Sequence, residues 1–76
     1  MIYQIDNKFF NALSAEDLVT QLRDSSFTKS RDEQDYMEQF AKRAKILYNV
    51  NIITATPKKW LRDCIKNELI KVVITH

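Results

Sequence analysis

The chain contains no glycine, and its one proline is Pro57. Glycine adopts positive φ readily and lets a backbone approach a phosphate closely, so a chain without it cannot build the glycine-rich loops of P-loop or dinucleotide-binding proteins. The same absence removes helix breakers, and the interval from Ser30 to Tyr48 has neither glycine nor proline. The longest helix of the chain is therefore predicted there.

The length and composition limit the chain to one small globular domain, residues 1–76. Its 76 residues are 45% hydrophobic and 29% charged, a balance that favours a folded core over disorder. A single cysteine excludes an internal disulfide, and one cysteine with one histidine cannot supply a structural zinc site. No apolar run has the length of a membrane span and no signal-peptide pattern is present. We therefore expect a cytoplasmic protein without cofactor or metal.

The N-terminus predicts a β-hairpin. Two β-prone runs flank Asp6-Asn7, residues that tolerate positive φ, and this pattern is typical of a two-residue loop. The register pairs Ile5 with Lys8 and Tyr3 with Phe10. The predicted core face carries Tyr3, Ile5 and Phe10, and the opposite face carries Ile2, Gln4 and Phe9. Whether Phe9 lies at a sheet edge or beneath a helix stays open.

Three helix starts are marked by the capping residues Ser14, Ser30 and Thr56, the last followed by Pro57 at the first helical position. The second start has capping-box spacing between Ser30 and Glu33. The helices are predicted to end near Asp24, Tyr48 and Asn67. Their predicted apolar faces are Leu18, Val19 and Leu22 in the first, Met37, Phe40, Ala41, Ala44, Leu47 and Tyr48 in the second, and Trp60, Leu61, Cys64 and Ile65 in the third.

Two further short strands complete the prediction. Residues 50–54 are β-branched enough for a strand, and the nearly continuous apolar run 69–74 favours a central strand. The expected fold class is α+β, with a small, mainly antiparallel sheet of the N-terminal hairpin and two short strands, packed with three helices of which the second is longest.

Catalysis has little support in the sequence, so we expect no enzyme. His76 is the last residue, where a general base is poorly held. Cys64 falls on an apolar helix face, where a buried structural thiol is the usual state. The acidic residues Asp32, Glu33, Asp35 and Glu38 lie on one regular helix, which favours a solvated helix start over a cation site. An ion pair between Glu38 and Lys42 is also expected there.

Charge is distributed unevenly along the chain. Residues 1–41 carry four basic and eight acidic side chains, net −4, whereas residues 42–76 carry eight and two, net +6. The second helix follows its dipole, with acidic residues first and basic residues last. The third helix does not, because Lys58 and Lys59 fall in its first turn and Arg62 follows, where the positive end of the dipole disfavours cations.

This exception predicts a partner-binding surface. A helix start with hydroxyls from Thr54 and Thr56 and several cations suits a phosphate or a carboxylate. The predicted contact residues are Lys58, Lys59, Arg62, Thr56, Lys66, Lys42 and Arg43. Two partners fit such a surface, namely an acidic protein surface and a nucleic acid. The competing interpretation is an ordinary solvated lysine face.

Four aromatic residues fit either a core or an interface. Trp60 shares a face with Leu61 and Cys64, which favours the core, although tryptophan is also enriched in binding hot spots. Tyr36 and Tyr48 have the same two interpretations. Phe27 stands in a polar stretch, either as an anchor for the core or as a protruding contact.

Several segments together resemble small uncharacterised accessory proteins of bacterial and prophage genomes. They are Ile5-Asp6, residues 14–18, residues 36–43 and residues 54–63. The chain departs from that pattern by lacking glycine after Asp6 and near residue 67. The resemblance implies a protein of a mobile element, a class that includes anti-CRISPR inhibitors. The expected function is thus a small non-catalytic protein that binds a host protein or complex, with nucleic-acid binding as the alternative and a monomer favoured over a homodimer.

Overall fold

The computed structural model describes residues 1–26 and 30–73, and it confirms an α+β fold. The elements follow one another as β1 (Ile2–Ile5), β2 (Lys8–Asn11), α1 (Ala15–Ser25), α2 (Glu33–Tyr48), α3 (Pro57–Lys66) and β3 (Lys71–Val73). The strands form one antiparallel sheet in the order β2-β1-β3, and α2 is the longest helix. No helix within the described ranges is long and apolar enough to cross a membrane.

The hairpin has the predicted register. Ile5 pairs with Lys8 and Tyr3 with Phe10 across a turn in which Asp6 has a φ of 54°. Tyr3 is buried, and Ile5 and Phe10 pack against the core from the same face. Phe9 is 62% exposed, so it lies on the uncovered face of the sheet.

The first helix begins at its predicted cap and packs at the centre of the fold. The Oγ of Ser14 accepts a hydrogen bond from the N–H of Asp17 at 3.1 Å, and the carboxylate of Asp17 accepts one from the N–H of Leu13 at 2.9 Å. These bonds satisfy backbone donors at the helix start. The apolar stripe is buried as predicted, and α1 packs against β2, α2 and α3.

The second helix begins later than the capping-box pattern suggests. Asp32, not Ser30, is the N-cap, and its carboxylate accepts from the N–H of Asp35 at 2.8 Å. The Oγ of Ser30 is buried and has no hydrogen-bond partner in the part of the chain that the structure describes. An aspartate serves as well as a serine at this position, so two candidate caps two residues apart compete.

Two details predicted for α2 are wrong. Glu38 accepts a hydrogen bond from Gln34 at 3.2 Å and forms no ion pair with Lys42. Leu47 and Tyr48 belong to the apolar face by spacing, yet they are 67% and 62% exposed. The core ends before the helix does, so the last turn of this face has nothing to pack against.

Two strand predictions are also corrected. Residues 50–54 form no strand, because side chains hold this segment: Asp63 accepts from the N–H of Ile53 at 2.8 Å, and Gln34 donates to the carbonyl of Thr54 at 2.7 Å. The last strand begins at Lys71 and not at Leu69, and residue 74 of the predicted strand lies outside the described residues. As described, the strand pairs only with β1, so it lies at an edge of the sheet and is not central.

The core is built around Trp60, which is fully buried as its position on the helix favours. Its ring lies 5.2 Å from that of Phe40 and 6.4 Å from that of Tyr36, both in edge-to-face arrangements typical of aromatic pairs. Tyr36 is likewise a core residue. These contacts, with the bond from Gln34 to Thr54, place the start of α3 beside the first half of α2.

Candidate binding surface

The third helix begins where Thr56 and Pro57 predict. The Oγ1 of Thr56 accepts from the N–H of Lys59 at 3.2 Å, and Pro57 occupies the first turn, where its missing N–H costs no hydrogen bond. This fixes the rotation of α3 against the core. Trp60, Leu61 and Cys64 are buried on one side.

The opposite side of α3 is a continuous row of cations, which we call the α3 basic face. At about 100° per residue, its members fall within one side of the helix, directly opposite the buried residues. They span roughly 12 Å of helix axis at 1.5 Å per residue. The face consists of Lys58, Lys59, Arg62 and Lys66, all exposed.

No acidic side chain among the described residues forms an ion pair with this face. The ion pairs found in that part of the chain are Arg23–Glu33, between α1 and α2, and Arg31–Asp35, at the start of α2. Asp63 is the only carboxylate on α3, and its side chain is engaged by the N–H of Ile53. Four like charges on one side of a ten-residue helix repel one another, and Lys58 and Lys59 also oppose the dipole at its start, whereas Lys66 lies in the last turn, where the dipole favours a cation. The cations at the start of α3 therefore contribute nothing evident to folding.

The predicted anion pocket at the start of α3 has few donors. Pro57 lacks an N–H, and that of Lys59 is bound by Thr56, which leaves the N–H of Lys58. The carbonyl of Thr54 accepts a hydrogen bond from Gln34, and the side chain of Thr54 is half-buried. The start of α3 is thus a charged surface and not an enclosed phosphate site.

Lys42 and Arg43 belong to a second basic surface. They lie in the second half of α2, about 12 Å along the helix axis from Gln34, the residue that contacts the start of α3. Lys42, Arg43 and Lys45 are all exposed there. The seven predicted contact residues therefore divide between two helices, with Thr56 acting as the cap of one of them.

Exposed apolar side chains stand beside this second surface, and the periodicity of α2 does not predict the exposure of Leu47 and Tyr48. Ile46, Leu47 and Tyr48 are 73%, 67% and 62% exposed. Asn49, in the left-handed conformation, ends the helix, and its N–H donates to the carbonyl of Lys45 at 3.0 Å. Because this turn is hydrogen-bonded, the last turn of α2 displays its apolar side chains from a fixed backbone.

Cys64 and the carboxylates at the start of α2, two of the groups considered in the sequence, lie within the described structure. Burial raises the pKa of Cys64 to about 12, so its thiol stays protonated and weakly nucleophilic. The carboxylates at the start of α2 act in the cap, in ion pairs or in hydrogen bonds to glutamine, and no cluster of metal-ligating side chains occurs within residues 1–26 and 30–73. Phe27 and His76 lie outside the described residues.

No protein-family model matches this chain, and no curated protein or solved structure matches it either.

Proposed function

We propose that this chain is a non-catalytic binding protein that contacts an acidic surface of a protein partner through the α3 basic face. The observation that carries the proposal is the row of four exposed cations without ion pairs in the described structure, two of which, Lys58 and Lys59, lie against the helix dipole in the first turn. A surface that opposes local stability is better explained by a partner that supplies negative charge. Electrostatic complementarity of this kind speeds association and selects the partner.

A protein partner is favoured by the apolar end of α2. Ile46, Leu47 and Tyr48 supply aliphatic and aromatic contact area beside Lys42 and Arg43. Tyrosine and arginine are enriched in the centres of protein interfaces, whereas phosphate contacts need cations and hydrogen-bond donors instead of aliphatic groups. Nucleic-acid binding is the second candidate, since a row of cations along one helix also suits a phosphate backbone.

The resemblance to phage accessory proteins supplies a more specific form of the proposal. In this form, the partner is a host protein or complex of the defence system, bound in the host cytoplasm, and the chain inhibits it by covering part of its surface.

A matched pair of variants tests the proposed surface. Lys58→Glu/Arg62→Glu removes the centre of the α3 basic face, and Lys8→Glu/Lys71→Glu makes the same change of net charge at exposed strand positions. Partners are captured by a photo-crosslinking residue at position 59 in the native cell and identified by mass spectrometry. We expect an acidic protein with wild type and with the strand control, and its loss with the α3 variant. Equal capture by both variants would contradict the proposal.

Salt dependence separates the two candidate partners. Affinity for a short random-sequence DNA duplex is measured at increasing salt for wild type and the α3 variant. We expect weak binding comparable with that of any weakly basic protein. Tight binding that falls steeply with salt, with a shallower slope in the α3 variant, would favour the nucleic-acid alternative.

A further inference from the structure

A groove lies between the hairpin turn and the end of α2. Its volume is about 330 Å³, near the lower end of the roughly 300–1,000 Å³ typical of ligand sites. Leu47 and Tyr48 line it from α2, and Ile5 and Leu69 line it from the sheet side. This accounts for two of the exposed apolar residues of α2, because Leu47 and Tyr48 form one wall of the groove.

Charge on the rim of this groove is polarised. Arg43 lines it from α2, with the exposed Lys42 and Lys45 in the same part of the helix. Asp6 lines it from the hairpin turn, and Glu68 and Lys71 line a neighbouring cavity together with Asp6. The negative charge of an occupant is therefore attracted to the α2 side and kept away from the carboxylate of Asp6 opposite.

The burial of Tyr36 inside the groove supports a binding role for its neighbour Arg43. Tyr36 lines the groove beside Arg43, and its pKa is raised by burial and partly lowered again by the charge of this arginine. Arg43 is thus close enough to act on a buried hydroxyl, yet it forms no ion pair with a carboxylate in the described structure. Its guanidinium remains available for a carboxylate from outside, which it can bind through two parallel hydrogen bonds.

A second copy joined through the end of α2 fits this groove poorly. In a two-fold dimer, each surface patch meets itself. Joining two α2 ends would therefore bring Lys42, Arg43 and Lys45 of one copy towards the same three cations of the other, and such like-charge contacts are unfavourable.

We infer that the groove binds a segment of a partner protein in which an aspartate or glutamate stands next to a large apolar side chain. The apolar side chain enters between Leu47 and Leu69, and the carboxylate pairs with Arg43. This inference rests on the proposed function in that it takes the partner to be an acidic protein. It adds a second contact, separate from the α3 basic face, that recognises a short sequence.

The test uses peptides as the probe. Wild-type chain selects binders from a displayed library of random peptides, and the affinity of the enriched peptide is measured by fluorescence anisotropy. We expect enrichment of acidic residues next to leucine, phenylalanine or tryptophan. Arg43→Glu and Leu47→Ser should each weaken binding by at least about tenfold, as expected for residues at the centre of an interface.

Two residues outside the groove provide matched controls. Lys8→Glu changes charge as Arg43→Glu does, and Leu13→Ser removes an exposed leucine that does not line the groove. Both controls should bind within about twofold of wild type, as expected for surface residues outside the contact. Circular dichroism confirms folding of each variant, and Tyr48→Ser replaces Leu47→Ser if the latter unfolds.

Four results would overturn the inference: no enriched peptide, enrichment of basic peptides, equal losses in the controls, or a dimer that dissociates in Leu47→Ser. Lys58→Glu/Arg62→Glu separates this inference from the proposed function. It should retain peptide affinity while losing the captured partner. If instead the groove variants bind peptide normally and the α3 variant still loses its partner, the groove is excluded and the proposed function stands.

Discussion

The two halves of α2 use apolar side chains for different purposes. In the first half, Tyr36 and Met37 are buried, and Phe40 packs against Trp60. In the second half, Leu47 and Tyr48 continue the same face but are mostly exposed. Apolar periodicity therefore shows which side of a helix faces inward, whereas the position of neighbouring elements decides where the core ends.

The third helix shows the same division across its width. Its inner side supplies three fully or nearly fully buried residues. Its outer side carries the four cations of the α3 basic face, which form no ion pair within the described residues. One side of each helix is accounted for by folding. The residues left over, the α3 basic face and the end of α2, are the ones available for binding.

The largest expected effect is a loss of stability that distinguishes buried from exposed apolar residues. Trp60→Ala leaves a large cavity at the centre of the core and should cost about 3–5 kcal/mol of unfolding free energy, enough to unfold much of a domain this small. Leu47→Ala should change stability by less than about 0.5 kcal/mol, because its side chain is mostly exposed. Urea denaturation measures both. Similar losses would remove the distinction between the two halves of α2.

The next largest expected effect is a dependence of stability on pH, which arises from Cys64 in the core. The pKa of Cys64 is raised from 9.0 to about 12 by burial. Above its ordinary pKa, the unfolded thiol loses a proton that the folded thiol keeps, so the stability contributed by this site is complete below pH 9.0 and falls as the pH rises towards 12.

Cys64→Ala isolates this contribution. The variant should lose about 1 kcal/mol at neutral pH, as is usual for a small core truncation. Between about pH 8 and about pH 11, wild type should lose roughly 3 kcal/mol more than the variant, since pH 11 lies two units above the ordinary pKa of 9.0 and each unit is worth about 1.4 kcal/mol. Parallel curves would contradict the burial of this thiol, as would labelling of the folded protein at the rate of an exposed cysteine.

A smaller effect distinguishes the two candidate caps of α2. Asp32→Ala should cost about 1 kcal/mol, because the N–H of Asp35 loses its acceptor. Ser30→Ala should cost less, since the Ser30 hydroxyl makes no hydrogen bond within the described structure and its removal relieves an unpaired buried group. Thermal melting of the two variants compares them directly. A greater loss for Ser30→Ala would restore the capping box predicted from the sequence.

Local signals predicted much of this fold. The turn at Asp6-Asn7 and the caps at Ser14 and Thr56 were correct because each depends on chemistry within a few residues. The strand at 50–54 was wrong because its backbone groups are bound by Asp63 and Gln34, which come from other parts of the chain. β-propensity cannot reveal such competition.

The candidate surface was predictable to a similar extent. The α3 basic face follows from helical spacing, since a helix with one apolar side must expose the other. The separation of Lys42 and Arg43 from that face depends on how α2 and α3 pack, and the groove depends on the approach of the hairpin turn to α2. Neither has a local signature in the sequence.

The central claim is that the α3 basic face serves binding and not folding. The most direct measurement is the unfolding free energy of Lys58→Glu/Lys59→Glu/Arg62→Glu against wild type at low salt. Glutamates in the first turns of a helix interact favourably with its dipole. The variant should therefore be as stable as wild type or more stable by up to about 1 kcal/mol. A loss of more than about 1 kcal/mol would show that these cations stabilise the fold, and would contradict the claim.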